Sequence, residues 1–256
     1  MFLKVLKVNI DRPYCLSIAG YDPTAGAGVL ADIKTFEMFG VYGMAIISSN
    51  TFQTDDQFTD IHWINVEILK IQMQMLMNKY DFKVLKIGLI QNFDTLYQVI
   101  TLAKKLKPAI HIIWDPILKS SSGYNFHSGN SIELSFLEEN CFLITPNWDE
   151  FETLWGTHPE FLTERKLNTS ILIKGGHRKD QAGSDLLYSN DQFFDIEGSP
   201  FNGKSKHGTG CVLSAAITAC LAKGKSLIDS CYLAKSYVEQ FILSNDSNLG
   251  YHYENN

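Results

Sequence analysis

The chain has 256 residues, with 22 Lys and Arg against 28 Asp and Glu, for a formal net charge of −6. Apolar residues make up 45% and charged residues 20%, an ordinary globular balance that excludes a disordered or fibrous chain. The acidic balance argues against a nucleic-acid binder working by bulk electrostatics, and no run approaches the roughly 18 apolar residues of a membrane span. Lys4 and Lys7 interrupt the N-terminal stretch, which therefore does not read as a signal peptide. Cys15, Cys141, Cys211, Cys220 and Cys231 form neither an even disulfide framework nor a CxxC zinc pair. We expect a cytoplasmic protein with no nucleic-acid or membrane partner.

Short apolar runs alternate with longer amphipathic ones along the chain. Residues 15–19 read as a strand, followed by a glycine-rich turn and a helix over 28–39. Residues 44–48 form a second buried run. Val66, Leu69, Met73, Leu76 and Met77 recur at three- and four-residue spacings, which predicts a helix over 65–80. Met73, Met75 and Met77 read as core rather than as an adaptable groove. Residues 84–90 form the next strand, and a helix capped by Asp94 ends before Pro108. Residues 110–114 are continuously apolar, as a strand buried on both faces should be. Residues 142–145 and 171–174 repeat the theme, with a helix over 147–155 between them and a hairpin over 186–196. Helices over 210–222 and 226–244 close the pattern. No linker, repeat or low-complexity tract divides it, so residues 1–256 read as one domain. The alternation predicts a mostly parallel sheet in a three-layer α/β/α sandwich.

Ligands of open parallel sheets bind beyond the carboxyl ends of the strands, and polar residues gather there in this chain. The six strands run into residues 20–22, 50–53, 91–92, 115–116, 145–150 and 174–177. Each has a bland reading as a cap or turn; six in succession point to a shared cleft. Residues 20–28 form a glycine-rich loop whose spacing does not fit the dinucleotide pattern GxGxxG. Lys206-His207-Gly208-Thr209-Gly210-Cys211 enters an alanine-rich helix directly, exposing backbone N–H groups at the positive end of its dipole. That is an anion site suited to a phosphate in transfer, and no Gly-Lys-Ser/Thr follows to make it a Walker loop. Cys211 falls in the first turn, where a thiolate is favoured below the free pKa of roughly 8.5. Asn147 and Glu150, three apart, fit either hydrated Mg²⁺ or a plain helix N-terminus. The histidines have no metal spacing, and His207 reads as a backbone positioner.

The segments SIAGYDPTAGAGVLADIKTF, VYGMAIISSNTFQT, KIGLI, Asp115-Pro116, ITPNWDE, ILIKGGH and HGTGCVLSAAITA, in that order, carry a resemblance. From about Cys15 to Tyr237 the sequence resembles the hydroxymethylpyrimidine/phosphomethylpyrimidine kinases of thiamine biosynthesis, within the ribokinase-like superfamily. The resemblance implies a doubly wound sheet without a separate lid domain, ATP with Mg²⁺, and two successive phosphorylations. The first acts on the hydroxymethyl group of 4-amino-5-hydroxymethyl-2-methylpyrimidine, the second on the resulting phosphate ester. It also implies a pyrimidine site at Gly20, Asp22 and Gln53, with Leu89 packing the ring. One amide can donate to a ring nitrogen and accept from an exocyclic amine, which suits Gln53. Lys174 and Lys235 would lie near ATP, Asp115 near the phosphates, and Asn147 and Glu150 at the metal. Gly208 and Gly210 would form the anion hole around Cys211, the proton acceptor. A homodimer is expected.

Ala25 stands where the family commonly has glycine, and Ser121 where it usually has lysine, with Lys119 shortly before it. Residues 250–256 lack the usual Gly-Pro-His ending, and residues 1–12 carry no assigned role. Three other readings stay open. A pyridoxal kinase of the cysteine-bearing subgroup is disfavoured because residues 115–130 hold no second cysteine. The others are a catalytically silent pyrimidine-binding protein and a hydrolase pairing Cys211 with His207, which lacks an identifiable orienting acid.

Overall fold

A computed structural model describes residues 12–119, 126, 133–175, 183–199 and 205–253. Residues 1–11, Ser121, His177 and residues 254–256, all singled out in the sequence, lie outside the described residues. Strands β1 (Tyr14–Tyr21), β2 (Tyr42–Gln53), β4 (Phe82–Ile87), β5 (His111–Trp114), β6 (Leu143–Ile144) and β7 (Ser170–Ile173) run parallel. Antiparallel β3 (Phe58–Trp63) lies at one edge, and the hairpin of β8 (Asp185–Ser189) and β9 (Gln192–Ile196) at the other. The order β3-β2-β1-β4-β5-β6-β7-β8-β9 reverses direction between β1 and β4, so the sheet is doubly wound and a crevice opens there.

Helices α1 (Gly28–Met38), α6 (Thr209–Ala222) and α7 (Leu227–Leu243) cover one face of the sheet. Helices α2 (Val66–Lys79), α3 (Phe93–Leu106), α4 (Leu134–Asn140) and α5 (Trp148–Trp155) cover the other, completing the expected α/β/α sandwich. Strand side chains alternate between the two layers. Leu85, Ile87, Ile112, Trp114, Ile171 and Ile173 face α2 to α5, whereas Val84, Ile113, Leu143, Leu172 and Leu187 face α6 and α7. Burial on both sides explains why β5 and β7 read as unbroken apolar runs.

The structure departs from the sequence pattern at particular places. β3 was not anticipated: its Asp60 and His62 are exposed, so this edge strand lacks the apolar signal of a buried one. Asn92, not Asp94, caps α3, its side chain accepting the Thr95 N–H at 2.8 Å; Asp94 lies in the first turn. The short α4 and a 3₁₀ turn at Pro159–Glu164 are too brief to register a period. Met73 and Met77 are core as expected, but Met75 is 69% exposed. No helix of the described residues is long and apolar enough to cross a membrane.

Candidate active site

The carboxyl ends of β1, β2, β4, β5, β6 and β7 converge with the start of α6 on a cavity of about 890 Å³. Gly20, Asp22, Gln53, Leu89, Asp115, Asn147, Glu150, Lys174, Gly208, Gly210 and Cys211 all line it. Among the described residues that line it, Lys235 does not appear. Its ammonium lies 3.0 Å from Asp185 and ties α7 to the β8–β9 hairpin.

The two glycine-rich loops form one unit. Gly28 and Gly208 have φ of +61° and +80°; a Cβ on the first would collide with the Gly20 carbonyl, and one on the second with the Gly26 carbonyl. Asp22 Oδ1 accepts from the Thr24 N–H at 2.9 Å. Its Oδ2 accepts from the Ala27 N–H at 2.9 Å and lies 2.8 Å from His207 Nε2. Burial alone would raise the Asp22 carboxyl, but the bonds from His207 and Thr24 prevail and hold it below the usual carboxylate range. Asp22 therefore organises both loops while lining the cavity. Among the described residues, His207 Nδ1 is buried with no hydrogen-bond partner, so no Cys211–His207 dyad forms and the hydrolase reading loses its base. Ala25 has φ +57°, a left-handed conformation that glycine would adopt without strain.

Asp115 sits at the centre of the charged wall. Its Oδ1 accepts from Lys174 Nζ at 2.7 Å and from the Thr145 hydroxyl at 3.1 Å, and its Oδ2 from the Ser214 hydroxyl at 3.0 Å. Burial disfavours the Lys174 ammonium, yet Asp115 and then Glu150 outweigh it and hold its pKa above the ordinary lysine value. Burial raises the Glu150 carboxyl; Lys174, 3.9 Å away, opposes this and Asp115 reinforces it.

The Asn147–Glu150 spacing is a capping box. Asn147 Oδ1 accepts the Glu150 N–H at 2.8 Å, and Glu150 Oε2 accepts the Asn147 N–H at 2.7 Å. Helix capping thus explains the spacing, and the Asn147 side chain is engaged in it. Glu150 and Asp115 nevertheless both line the same cavity, and carboxylates are the hard donors that suit Mg²⁺ arriving with phosphates. Among the described residues, no group of three or more His, Cys, Asp and Glu side chains could hold a metal alone.

Cys211 lines the cavity at 7% exposure. Its thiol is pushed up to about 11 by burial; Lys86 opposes, Asp115 and Asp32 reinforce, and the Gly28 N–H opposes. The depressed pKa expected at a helix start is therefore not obtained, because burial and two carboxylates outweigh Lys86 and the Gly28 N–H. Sequence reasoning also missed Lys86 and Asp32, and the aromatic wall of Phe58, Phe93 and Phe126, with Phe58 and Phe126 edge to face at 5.3 Å. The signal for Lys86 was present as a lysine inside the otherwise buried strand segment VLKI.

A family model described as phosphomethylpyrimidine kinase matches residues 22–255. The chain belongs to this family. A hydroxymethylpyrimidine/phosphomethylpyrimidine kinase from Aquifex aeolicus (strain VF5) is 34% identical over 252 residues, covering 93% of this chain and 97% of the relative. The crystal structure of a phosphomethylpyrimidine kinase from Clostridium difficile 630 matches with TM-score 0.72 at 27% identity, over 90% of this chain and 99% of that one. An ADP complex of Bacillus subtilis pyridoxal kinase matches with TM-score 0.79 at 24% identity, over 95% and 97% of the two chains, a likeness of fold. Family membership makes the chain a kinase, a phosphotransferase on a ribokinase-like fold.

Proposed function

We propose that the chain transfers the γ-phosphoryl group of ATP to the hydroxymethyl group of 4-amino-5-hydroxymethyl-2-methylpyrimidine, and then phosphorylates the monophosphate, in thiamine biosynthesis. The observation that carries this reading is a single cavity in a chain of this family. It combines an amide (Gln53), an apolar side chain (Leu89) and a helix-start anion cradle.

Gln53 hydrogen-bonds the ring edge, Leu89 packs its face, and Gly20, where a Cβ would crowd Ser49 and Leu89, lets Leu89 sit close against the end of β1. The N–H groups around Gly208, Gly210 and Cys211 meet charge developing on the transferred phosphoryl group. Lys174, kept charged by Asp115, faces the same phosphates, and exposed Lys119 on the cavity wall supplies a further cation. Cys211 accepts the hydroxymethyl proton through its ionised fraction, late in a loose transition state. Glu150, oriented by its capping box with Asn147, would hold hydrated Mg²⁺ brought with the nucleotide; the ion would neutralise phosphate charge. Lys235, paired with Asp185 at the start of β8, would lie near ATP.

The enzyme works as one domain in the cytoplasm, a reading supported by five buried, unpaired cysteines. It works as a homodimer; the exposed stripe of Ile68, Ile71 and Met75 along α2 supports an apolar surface for a second copy, which sedimentation tests. The activity is tested by ATP consumption with the aminopyrimidine, its monophosphate and pyridoxal offered separately. Turnover with both pyrimidines is expected. Turnover with pyridoxal alone sinks the assignment.

A further inference from the structure

Beneath the start of α6 lies a charged network that the proposed chemistry does not use. Lys86 on β4 and Asp32 on α1 are fully buried and ion-paired. Ser17 on β1 donates to the other Asp32 oxygen at 2.5 Å, and Lys86 Nζ donates to the Cys211 carbonyl at 3.4 Å. The Gly28 N–H, at the start of α1, favours the ionised form of the Cys211 thiol. Apolar side chains of similar volume often replace a buried ion pair at no cost, so packing alone does not require this one. Its position is informative: β1, β4, α1 and α6 meet at the pair, directly behind Cys211.

We propose that the Lys86–Asp32 pair is a positioning device that fixes the first turn of α6 against α1 and β4 and sets the field at the Cys211 sulfur. This rests on reading Cys211, Gly208 and Gly210 as the phosphoryl-transfer end of the cavity. The charges acting on the Cys211 thiol come from Lys86 on β4, Asp32 on α1, Asp115 after β5 and Lys174 after β7. Lys86 draws the thiol toward ionisation, and Asp115 and Asp32 oppose it. Burial disfavours the Lys86 ammonium, but Asp32, Cys211 and Asp115 outweigh burial and keep it protonated. The two members of the pair therefore act on Cys211 in opposite senses.

The test is the pH dependence of Cys211 alkylation by iodoacetamide in the nucleotide-free full chain, resolved by peptide mass spectrometry, alongside kcat and both KM values. Lys86→Met alone strands a buried carboxylate, so Lys86→Met/Asp32→Leu replaces the pair with apolar side chains. Its alkylation midpoint should rise, because the lysine is the stronger influence, and that of Asp32→Asn should fall. The double variant should also lose about tenfold or more in kcat while holding both KM values near parental. Midpoints that move together, or not at all, overturn the proposal, since a merely structural pair has no reason to act with opposite signs. Opposite midpoint shifts with parental kcat support the pair's control of Cys211 and overturn instead the reading of Cys211 as proton acceptor.

Discussion

His207 Nε2 lies 2.8 Å from Asp22 Oδ2 and joins two glycine-rich loops that are 185 residues apart in the chain. Asp22 also bonds the Thr24 and Ala27 N–H groups, so one carboxylate holds the first loop's shape and docks it on the second. The anion cradle at the start of α6 thus depends on a residue at the end of β1.

Asp22→Ala should lower both stability and kcat. It strands backbone donors, at a cost of about 1–3 kcal/mol for a buried unpaired group. The folded carboxyl lies below its unfolded value, so its contribution is present above the unfolded pKa of roughly 3.9 and is lost as pH falls through the folded one. Urea midpoints across the acid range should reveal this loss in the parent and a shallower one in the variant. Identical acid slopes remove Asp22 from the linkage between the loops.

Gln53→Ala should raise KM for the pyrimidine and leave KM for ATP nearly unchanged. A hydrogen bond to a neutral partner is worth about 0.5–1.5 kcal/mol net, and more if a buried partner is stranded. Gln53 ends β2 at the cavity wall, far along the sheet from Lys174 after β7. Steady-state kinetics with each substrate varied in turn decides it; an unchanged pyrimidine KM takes Gln53 out of the site.

Glu150→Gln separates two roles that the capping box combines. Glutamine at this position preserves the reciprocal hydrogen bonds of the box, so the melting temperature should hold. The lost charge should move the Mg²⁺ titration of activity to higher concentration. A titration that overlays the parent's leaves Glu150 as a helix cap alone.

Ala25→Gly should raise the melting temperature modestly. The left-handed conformation costs an L-residue about 1–2 kcal/mol, against about 0.4–1 kcal/mol for glycine's freedom in the unfolded chain. The first exceeds the second. A lower melting temperature means that Ala25's contacts outweigh its backbone strain.

The sheet's interior and one wall of the cavity were legible in the sequence because both rest on local signals. Buried strands such as β5 declare themselves by unbroken apolar runs, and strand-end residues such as Asp115 and Lys174 follow them directly. Edge strand β3 did not, since its exposed face admits polar residues. The Asn147–Glu150 spacing was ambiguous because capping and oxygen coordination use the same residue types at the same separation. The Cys211 environment was misjudged for a different reason. Helix-start position is local, but the burial of its sulfur and the charges of Lys86, Asp115 and Asp32 around it arise only when the fold brings β4, the end of β5 and α1 together.

That field sets the last prediction. With the Cys211 thiol pushed up to about 11 by burial, only a small fraction carries the thiolate at pH 8. If Cys211 takes the hydroxymethyl proton, kcat should climb with pH between about 7 and 9 without a plateau, because the ionised fraction grows throughout that range. Loss of the base should not abolish turnover, since phosphoryl transfer depends chiefly on positioning and electrostatics that the α6 start retains. Cys211→Ala should therefore lower kcat by at least about tenfold and flatten its rise with pH, while KM for ATP stays close to parental. Cys211→Asp should recover part of the rate. Asp32 and Asp115 raise such a carboxyl and Lys86 lowers it, yet a carboxyl starts so far below a thiol that its plateau should fall at lower pH. The measurement is kcat against pH for the three proteins, with circular dichroism to establish folding. A folded alanine variant that keeps the parental rate and slope reduces Cys211 to packing at the start of α6.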